Sequence, residues 1–310
     1  MIAAEDLRTV AVVGSGSIGA SWAALALARG LSVVVTDPAP DAERRLRETV
    51  AARLTELGLP DAGSELGFTP DIARAAEVAQ LVLESGPERL EVKREIFAAL
   101  DAAAPADVLL TSSSSGLGPS SFQDACLRHP ERVLVAHPFN PPHLVPLVEV
   151  VGGRLTSEAA VQSAMGVFRH LGKRPIRIRR ELPGHVANRL QAALWREAYH
   201  LVGEGVVSVA DVDVAISSGP GLRWALLGPF ATQHLSGGEG GLAHVLEHLG
   251  PPMVEWWDDL GSPELTPELV STLVAGVQAE LGDRQESVVQ AQRDLALREL
   301  LETKARLGLE

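Results

Sequence analysis

The stretch that most restricts how this chain can fold is "TVAVVGSGSIGASWAALALARGLSVVVTD", Thr9 to Asp37. A β-branched apolar run ends at Gly14, and Gly14, Gly16 and Gly19 form G-x-G-x-x-G as a helical pattern begins. That spacing calls for a strand, a tight turn and a helix. The first glycine permits the turn, the second lets the backbone approach a pyrophosphate, and the third lets helix and strand pack closely. The pyrophosphate would rest on the free N–H groups at the helix start, those of Ser17 and Ile18 among them. A second apolar run ends at Asp37, eighteen residues past Gly19. Its carboxylate suits the hydroxyls of an adenosine ribose and would repel a 2′-phosphate, and "PAPDA" after it contains no arginine. These features predict NAD rather than NADP.

The first 180 residues continue in the same style. Thr9–Val13, Ser32–Thr36, Leu81–Glu84, Val108–Thr111, Val133–Ala136, Leu147–Val151 and Pro175–Ile178 read as short apolar strands. Helical patterns over Ser17–Arg29, Pro40–Leu57 and Leu90–Ala104 separate them. Near-continuous apolar strands divided by helices indicate a sheet covered on both faces. After Pro183 the period becomes 3.6 residues throughout, over Ser208–Ile216, Leu242–Leu249, Pro267–Leu281 and Arg284–Leu307 as well. The expected fold class is α/β: a Rossmann-type, doubly wound, mainly parallel sheet over residues 1–180, followed by an all-helical domain over 181–310. A length of 310 residues suits two domains. With aromatics at 4%, the core must be built from Ala, Val and Leu.

A net charge of −13 argues against nucleic acid and against anionic membranes, which need a basic footprint. The run "KRPIRIRR" (Lys173–Arg180) alternates with apolar residues and reads as a strand with a solvated edge. No stretch is apolar enough to span a bilayer, and the N-terminal residues do not read as a signal peptide, so a cytoplasmic protein is expected. The single cysteine, Cys126, reads as a packed small hydrophobe. "HVLEH" (His244–His248) fits an inverted zinc-protease pattern but has no evident third ligand, so no metal is expected.

In a doubly wound sheet, ligands bind outside the carboxyl ends of the strands. "LESGPE", "TSSSSG" and His137 all fall there. In "VLVAHPFNPPHLVPLVEV" (Val133–Val150), His137 ends one strand and Glu149 lies on the next, twelve residues later. Oxidising an alcohol with NAD needs a base for the hydroxyl proton, and histidine titrates near neutrality. A carboxylate can orient its ring and stabilise the imidazolium. His137 and Glu149 fit those roles.

With those motifs together, "SSSSG", "HPFNPPHLVPLVEV" and "PGHVANRL" resemble motifs of the L-3-hydroxyacyl-CoA dehydrogenase family, in order and spacing from Gly14 to Asn188. The resemblance implies His137 as general base or acid with Glu149 as its partner. It implies that Ser114 and Asn188 hydrogen-bond the reacting oxygen, with Asn140 also facing the substrate and Ser114 near the cofactor too. Glu88 and Lys93 would lie near the cofactor or the site entrance. Two positions depart from the pattern: Ser112 stands where the acyl-CoA enzymes usually carry asparagine, and His185 replaces a phenylalanine.

Further on, "GPGLRWALLGPFATQHLSGGEGGLAHVLEHLGPPM" (Gly219–Met253) is similar to the lambda-crystallin and L-gulonate 3-dehydrogenase branch, and also to L-carnitine dehydrogenase. Arg223 would clamp the carboxylate of a small substrate, or else form an interdomain or dimer ion pair. Trp224 reads as core or interface, although the trimethylammonium of carnitine would want an aromatic cage. The expected activity is oxidation of the 3-hydroxyl of a small L-3-hydroxy acid, L-gulonate first. An (S)-3-hydroxyacyl-CoA such as 3-hydroxybutyryl-CoA and L-carnitine are the alternatives, and a crystallin-like structural NAD-binding protein is the non-enzyme one. A homodimer through the helical domain is also expected.

Overall fold

The computed structural model describes residues 1–309 and divides into two compact units, Met1–Arg189 and Leu190–Glu310. In the first, eight strands form one sheet: β1 (Thr9–Val13), β2 (Ser32–Thr36), β3 (Leu66–Thr69), β4 (Leu81–Glu84), β5 (Leu109–Ser112), β6 (Val133–Pro138), β7 (Leu147–Gly152) and β8 (Arg174–Ile178). Their order is β3-β2-β1-β4-β5-β6-β7-β8. β1 to β6 run parallel, β7 is antiparallel to β6, and β8 is parallel to β7.

Five helices cover the sheet: α1 (Ser17–Ala28), α2 (Ala42–Glu56), α3 (Ile72–Glu77), α4 (Leu90–Ala103) and α5 (Glu158–His170). Successive strand side chains point to opposite faces, and two cores result. Val10 and Val12 of β1 pack with α1, α2 and α5, while Ala11 and Val13 pack with Ala75 of α3 and with Phe97 and Leu100 of α4. Helix α1 is buried almost all round, from Gly19 to Leu27. Only small side chains let the sheet and a second helix approach it together, which accounts for the alanines of "SWAALALA".

Three elements of this unit are absent from the sequence reading. β3 is four residues long, contains Gly67 and closes one edge of the sheet. α3 is six residues long. α5 is fully amphipathic, with its Ser157 side chain accepting from the Ala160 N–H as an N-cap. β8 at the other edge exposes Arg174, Arg177 and Ile176, but Lys173 just before it is buried.

α6 (Ala187–Gly203) opens just ahead of the unit division, which falls in its first turn. A boundary near residue 180 is expected from the change of texture at Pro183; the division between the compact units falls after Arg189. The second unit contains α7 (Val209–Ser217), α8 (Pro220–Leu227), α9 (Pro229–Ser236), α10 (Gly241–Asp259), α11 (Pro267–Leu281) and α12 (Glu286–Leu307), with no strand among the described residues. α8 and α9 each begin on a proline, a residue suited to the first helical position because its missing N–H costs nothing there. α10 runs on through Pro251 and Pro252, well past Leu249. Among the described residues no helix is long and apolar enough to cross a membrane.

Candidate active site

The turn after β1 has the geometry that its glycines require. Gly14 has φ +94°, and a Cβ there would lie 2.6 Å from the Ser85 carbonyl oxygen. A Cβ on Gly19 would lie 1.9 Å from the carbonyl oxygen of Gly14. A Cβ on Gly16, the N-cap of α1, would meet nothing within 4 Å. That open side is the space a pyrophosphate needs in order to reach the Ser17 and Ile18 N–H groups.

Asp37 stands beside the turn. One of its oxygens accepts from the N–H and the hydroxyl of Ser15, both at 2.7 Å, and the other accepts from the Ala39 N–H at 2.8 Å. Burial would raise its pKa, but these bonds and the charge of Arg45 hold the carboxyl below the usual aspartate value. Folding thus brings an arginine into electrostatic range that the residues immediately after Asp37 do not supply. A cavity of about 750 Å³ opens here, lined by Gly14, Gly16, Asp37, Pro38, Ile72 and Ile96 among others. Apolar walls with one anchored carboxylate fit an adenosine.

His137 and Glu149 are opposed directly in the antiparallel β6–β7 register, and the His137 Nδ1 lies 2.9 Å from Glu149 Oε2. Glu149 is wholly buried. Its Oε1 accepts from the N–H groups of Val186 and Ala187, both at 2.9 Å, where α6 begins. Burial pushes the Glu149 carboxyl up, yet the bonds from His137, Ala187 and Val186 outweigh it and hold it below the usual glutamate value. A carboxylate only accepts, so Nδ1 carries the proton and Nε2 keeps its lone pair. That nitrogen can take a proton.

The His137 side chain lines a cavity of about 310 Å³ with Ile18, Asn140, Asn188, Ser113 and Ser115. Ser114 is turned away from it. Its hydroxyl donates to Glu88 Oε1 at 2.5 Å and accepts from the Leu117 N–H at 2.8 Å. Glu88 also receives the Gly116 N–H, at 2.9 Å, and its carboxyl is held low against burial by the Ser114 hydroxyl, that backbone bond and Lys93. Lys93 is buried, with Nζ 3.1 and 3.0 Å from the two oxygens of Glu84 and 3.4 Å from Glu88.

Glu84 is a residue that sequence reasoning passed over. It is fully buried at the end of β4, accepts from the Ser112 hydroxyl at 2.6 Å and from the Gly86 N–H at 2.7 Å, and so ties two loops together. An acid closing the apolar run "LVLE" was the available signal. Ser113, also passed over, accepts from Trp22 Nε1 at 3.1 Å. In the helical unit, Arg223 lies exposed on α8 and pairs with no carboxylate among the described residues. Cys126 is buried, and burial together with the Asp101 charge pushes its thiol up to about 12, so it is not a nucleophile.

Comparison with known proteins agrees with this geometry. The model of the 3-hydroxyacyl-CoA dehydrogenase NAD-binding domain matches residues 9–182, and that of the C-terminal domain of the same enzymes matches residues 184–282. An L-carnitine dehydrogenase of Streptomyces coelicolor is 47% identical over all of this chain and 99% of its own length. One from Bacillus cereus is 43% identical, over 96% of this chain and 93% of its own length. Among solved structures, an NAD+-dependent 5-formyl-3-hydroxy-2-methylpyridine 4-carboxylic acid 5-dehydrogenase superposes with a TM-score of 0.82 at 28% identity, covering 96% of this chain and 99% of that one. An (S)-3-hydroxybutyryl-CoA dehydrogenase from Ralstonia eutropha gives 0.65 at 25% identity, covering 87% and 95%. The glycine turn, Asp37 and the paired His137 and Glu149 therefore sit in a chain that belongs to the 3-hydroxyacyl-CoA dehydrogenase family and is an NAD-dependent oxidoreductase.

Proposed function

We propose that this enzyme oxidises the 3-hydroxyl of a small L-3-hydroxy acid to the 3-keto acid, and that the acid is L-carnitine. The observation that carries the choice is the run of full-length relatives at 43–48% identity, all L-carnitine dehydrogenases. L-Gulonate, the first expectation from Gly219–Met253, has no comparable support.

The α1 N-terminus and Asp37 would hold NAD, which would supply the hydride acceptor. His137 Nε2 takes the hydroxyl proton, and the Glu149 carboxylate stabilises the imidazolium that results. Asn140 and Asn188, on the same cavity wall, hold the reacting oxygen by their amides. Ser114 acts through Glu88 by fixing the loop from which Ser113 and Ser115 face the cavity. Arg223, unpaired and exposed, is assigned to the substrate carboxylate.

The experiment is a comparison of L-carnitine, L-gulonate and 3-hydroxybutyryl-CoA with NAD. L-Carnitine should give a kcat/KM at least tenfold above the others. Arg223→Met should lower it by about tenfold or more, since a hydrogen bond to a charged group contributes roughly 1.5–3 kcal/mol. Turnover confined to the thioester and indifferent to Arg223→Met would refute this substrate.

We further propose a homodimer formed through the helical unit. Of the apolar side chains described from Leu190 onward, only Val202 and Val245 are buried, whereas Phe230, Trp256 and Trp257 are 76%, 61% and 62% exposed. Apolar exposure on that scale supports this reading.

A further inference from the structure

His185 combines three features that a residue chosen for packing alone would avoid. It is 2% exposed, yet its Nδ1 has no hydrogen-bond partner. Its φ is +52°, in the left-handed region that residues other than Gly enter uncommonly, His less rarely than most. It also stands where the family pattern has phenylalanine, which would fill the same volume with no buried nitrogen to satisfy. The unpaired nitrogen and the left-handed backbone each cost stability. Something the ring does must offset them.

The ring's one polar contact reaches the serine loop. Nε2 lies 3.1 Å from the Ser114 carbonyl oxygen, and a carbonyl can only accept, so the proton sits on Nε2 and Nδ1 is bare. The ring also packs beside the proposed base, with its centroid 5.2 Å from that of His137. The backbone just beyond it supplies the Val186 and Ala187 N–H groups to Glu149. One residue therefore touches both halves of the site: its side chain holds the loop after β5, and its unusual backbone aims the clamp on Glu149.

We propose that His185 is a positioning residue, which locks the Ser113–Ser115 loop to the His137–Glu149 pair so that the reacting hydroxyl meets both in register. Burial, opposed by the bond to Ser114 and aided by His137, keeps the His185 ring below the usual histidine value. It is neutral at pH 7, with the one donor that this role needs. Breaking its bond should leave NAD binding intact, because His185 bonds to the Ser114 carbonyl and packs on His137, not on the glycine turn or Asp37.

The proposal rests on His137 being the base, and the test separates the two ideas. Wild type, His185→Phe, His185→Gln, His185→Asn and His137→Ala are assayed with NAD on whichever of L-carnitine, L-gulonate and 3-hydroxybutyryl-CoA the wild type oxidises. NAD affinity by tryptophan fluorescence and Tm are measured alongside. His185→Phe should lose about tenfold in kcat, the size of one net hydrogen bond, at unchanged NAD affinity. His185→Gln, whose amide reaches as far as the imidazole Nε2, should recover most of that loss. His185→Asn accepts the left-handed backbone but falls short of Ser114, so it should be as stable as wild type and as slow as His185→Phe. Wild-type turnover in His185→Phe or His185→Asn would overturn the proposal, as would rates that simply follow Tm across the series. Near-wild-type turnover in His137→Ala would overturn the base assignment, and this proposal with it.

Discussion

Glu149→Gln tests the proposed mechanism most directly, because the surroundings of Glu149 leave the amide no good choice. The carboxylate accepts from His137 on one oxygen and from Val186 and Ala187 on the other. A glutamine that keeps its oxygen on the two backbone N–H groups turns its NH₂ toward His137 Nδ1. That nitrogen must then accept, so the ring proton moves to Nε2, where the base lone pair is needed. The reverse arrangement keeps the productive tautomer but sets NH₂ against two buried N–H donors, at about 1–3 kcal/mol each. The difference, roughly 2 kcal/mol or more, favours the wrong tautomer by a factor of about 30 or more. Loss of the negative charge beside the imidazolium adds a further factor, and the combined loss in kcat should be roughly 10²–10⁴-fold. Steady-state rates on L-carnitine, NAD titration by tryptophan fluorescence and imidazole nitrogen NMR check rate, fold and tautomer separately. A second signature lies in stability. The Glu149 pKa is lowered from 4.5, so its contribution is full above 4.5 and is lost as pH falls through the lower folded value. Glu149→Gln should lack that acid-sensitive part of the urea midpoint. A kcat within threefold of wild type, with NAD binding preserved, would refute the argument.

Asp37→Ala should raise the Kd for NAD by about tenfold or more and narrow its advantage over NADP, as fluorescence titration of both cofactors would report; unchanged discrimination would remove Asp37 from cofactor choice. Lys173 is pulled from 10.5 to about 7, by burial first and by Arg29 second, and its Nζ donates to the carbonyls of Pro142 and Val145. The unfolded chain then holds a proton that the native one lacks between about pH 7 and 10.5, so stability rises through that window. Urea midpoints at pH 7 and 9 should show the rise in wild type and its absence in Lys173→Met. Light scattering at micromolar concentration should give twice the chain mass, and a monomer would refute the assembly.

The strands and helices around the cofactor turn were legible because each carries its signal locally. β1, β2 and β4 occupy the spans that their β-branched runs predict, and α1 starts at Ser17 as the glycine spacing requires. β3 was not legible: four residues with a glycine among them, held by one neighbour at a sheet edge, carry no periodicity to read. α8 and α9 were hidden by their own prolines and glycines, which punctuate the segment as if it were a loop. Lys173 was misplaced in kind, since a lysine in a sequence looks solvated until a carbonyl is found beside it. Which serine of Ser112–Ser115 meets the cavity is likewise decided by residues distant in the chain. Glu88 draws Ser114 away, Glu84 takes Ser112, and Ser113 and Ser115 are left on the wall.

The pairing of His137 with Glu149 shows how a local spacing and a global topology combine. Twelve residues separate them. In an all-parallel sheet the return to an adjacent strand takes a crossover of a dozen or more residues, usually a helix. The segment from Phe139 to Pro146 is too short for that, and its prolines forbid a helix. It can only turn the chain back, making β7 antiparallel to β6 and setting Glu149 opposite His137 in the register. The one reversal in the sheet is therefore what creates the pair. β7 then presents the far oxygen of Glu149 to the opening N–H groups of α6, so the same reversal ties the proposed base to the segment that carries His185 and Asn188. A sheet parallel throughout could hold NAD at the glycine turn, but it would have no short route from His137 to a carboxylate.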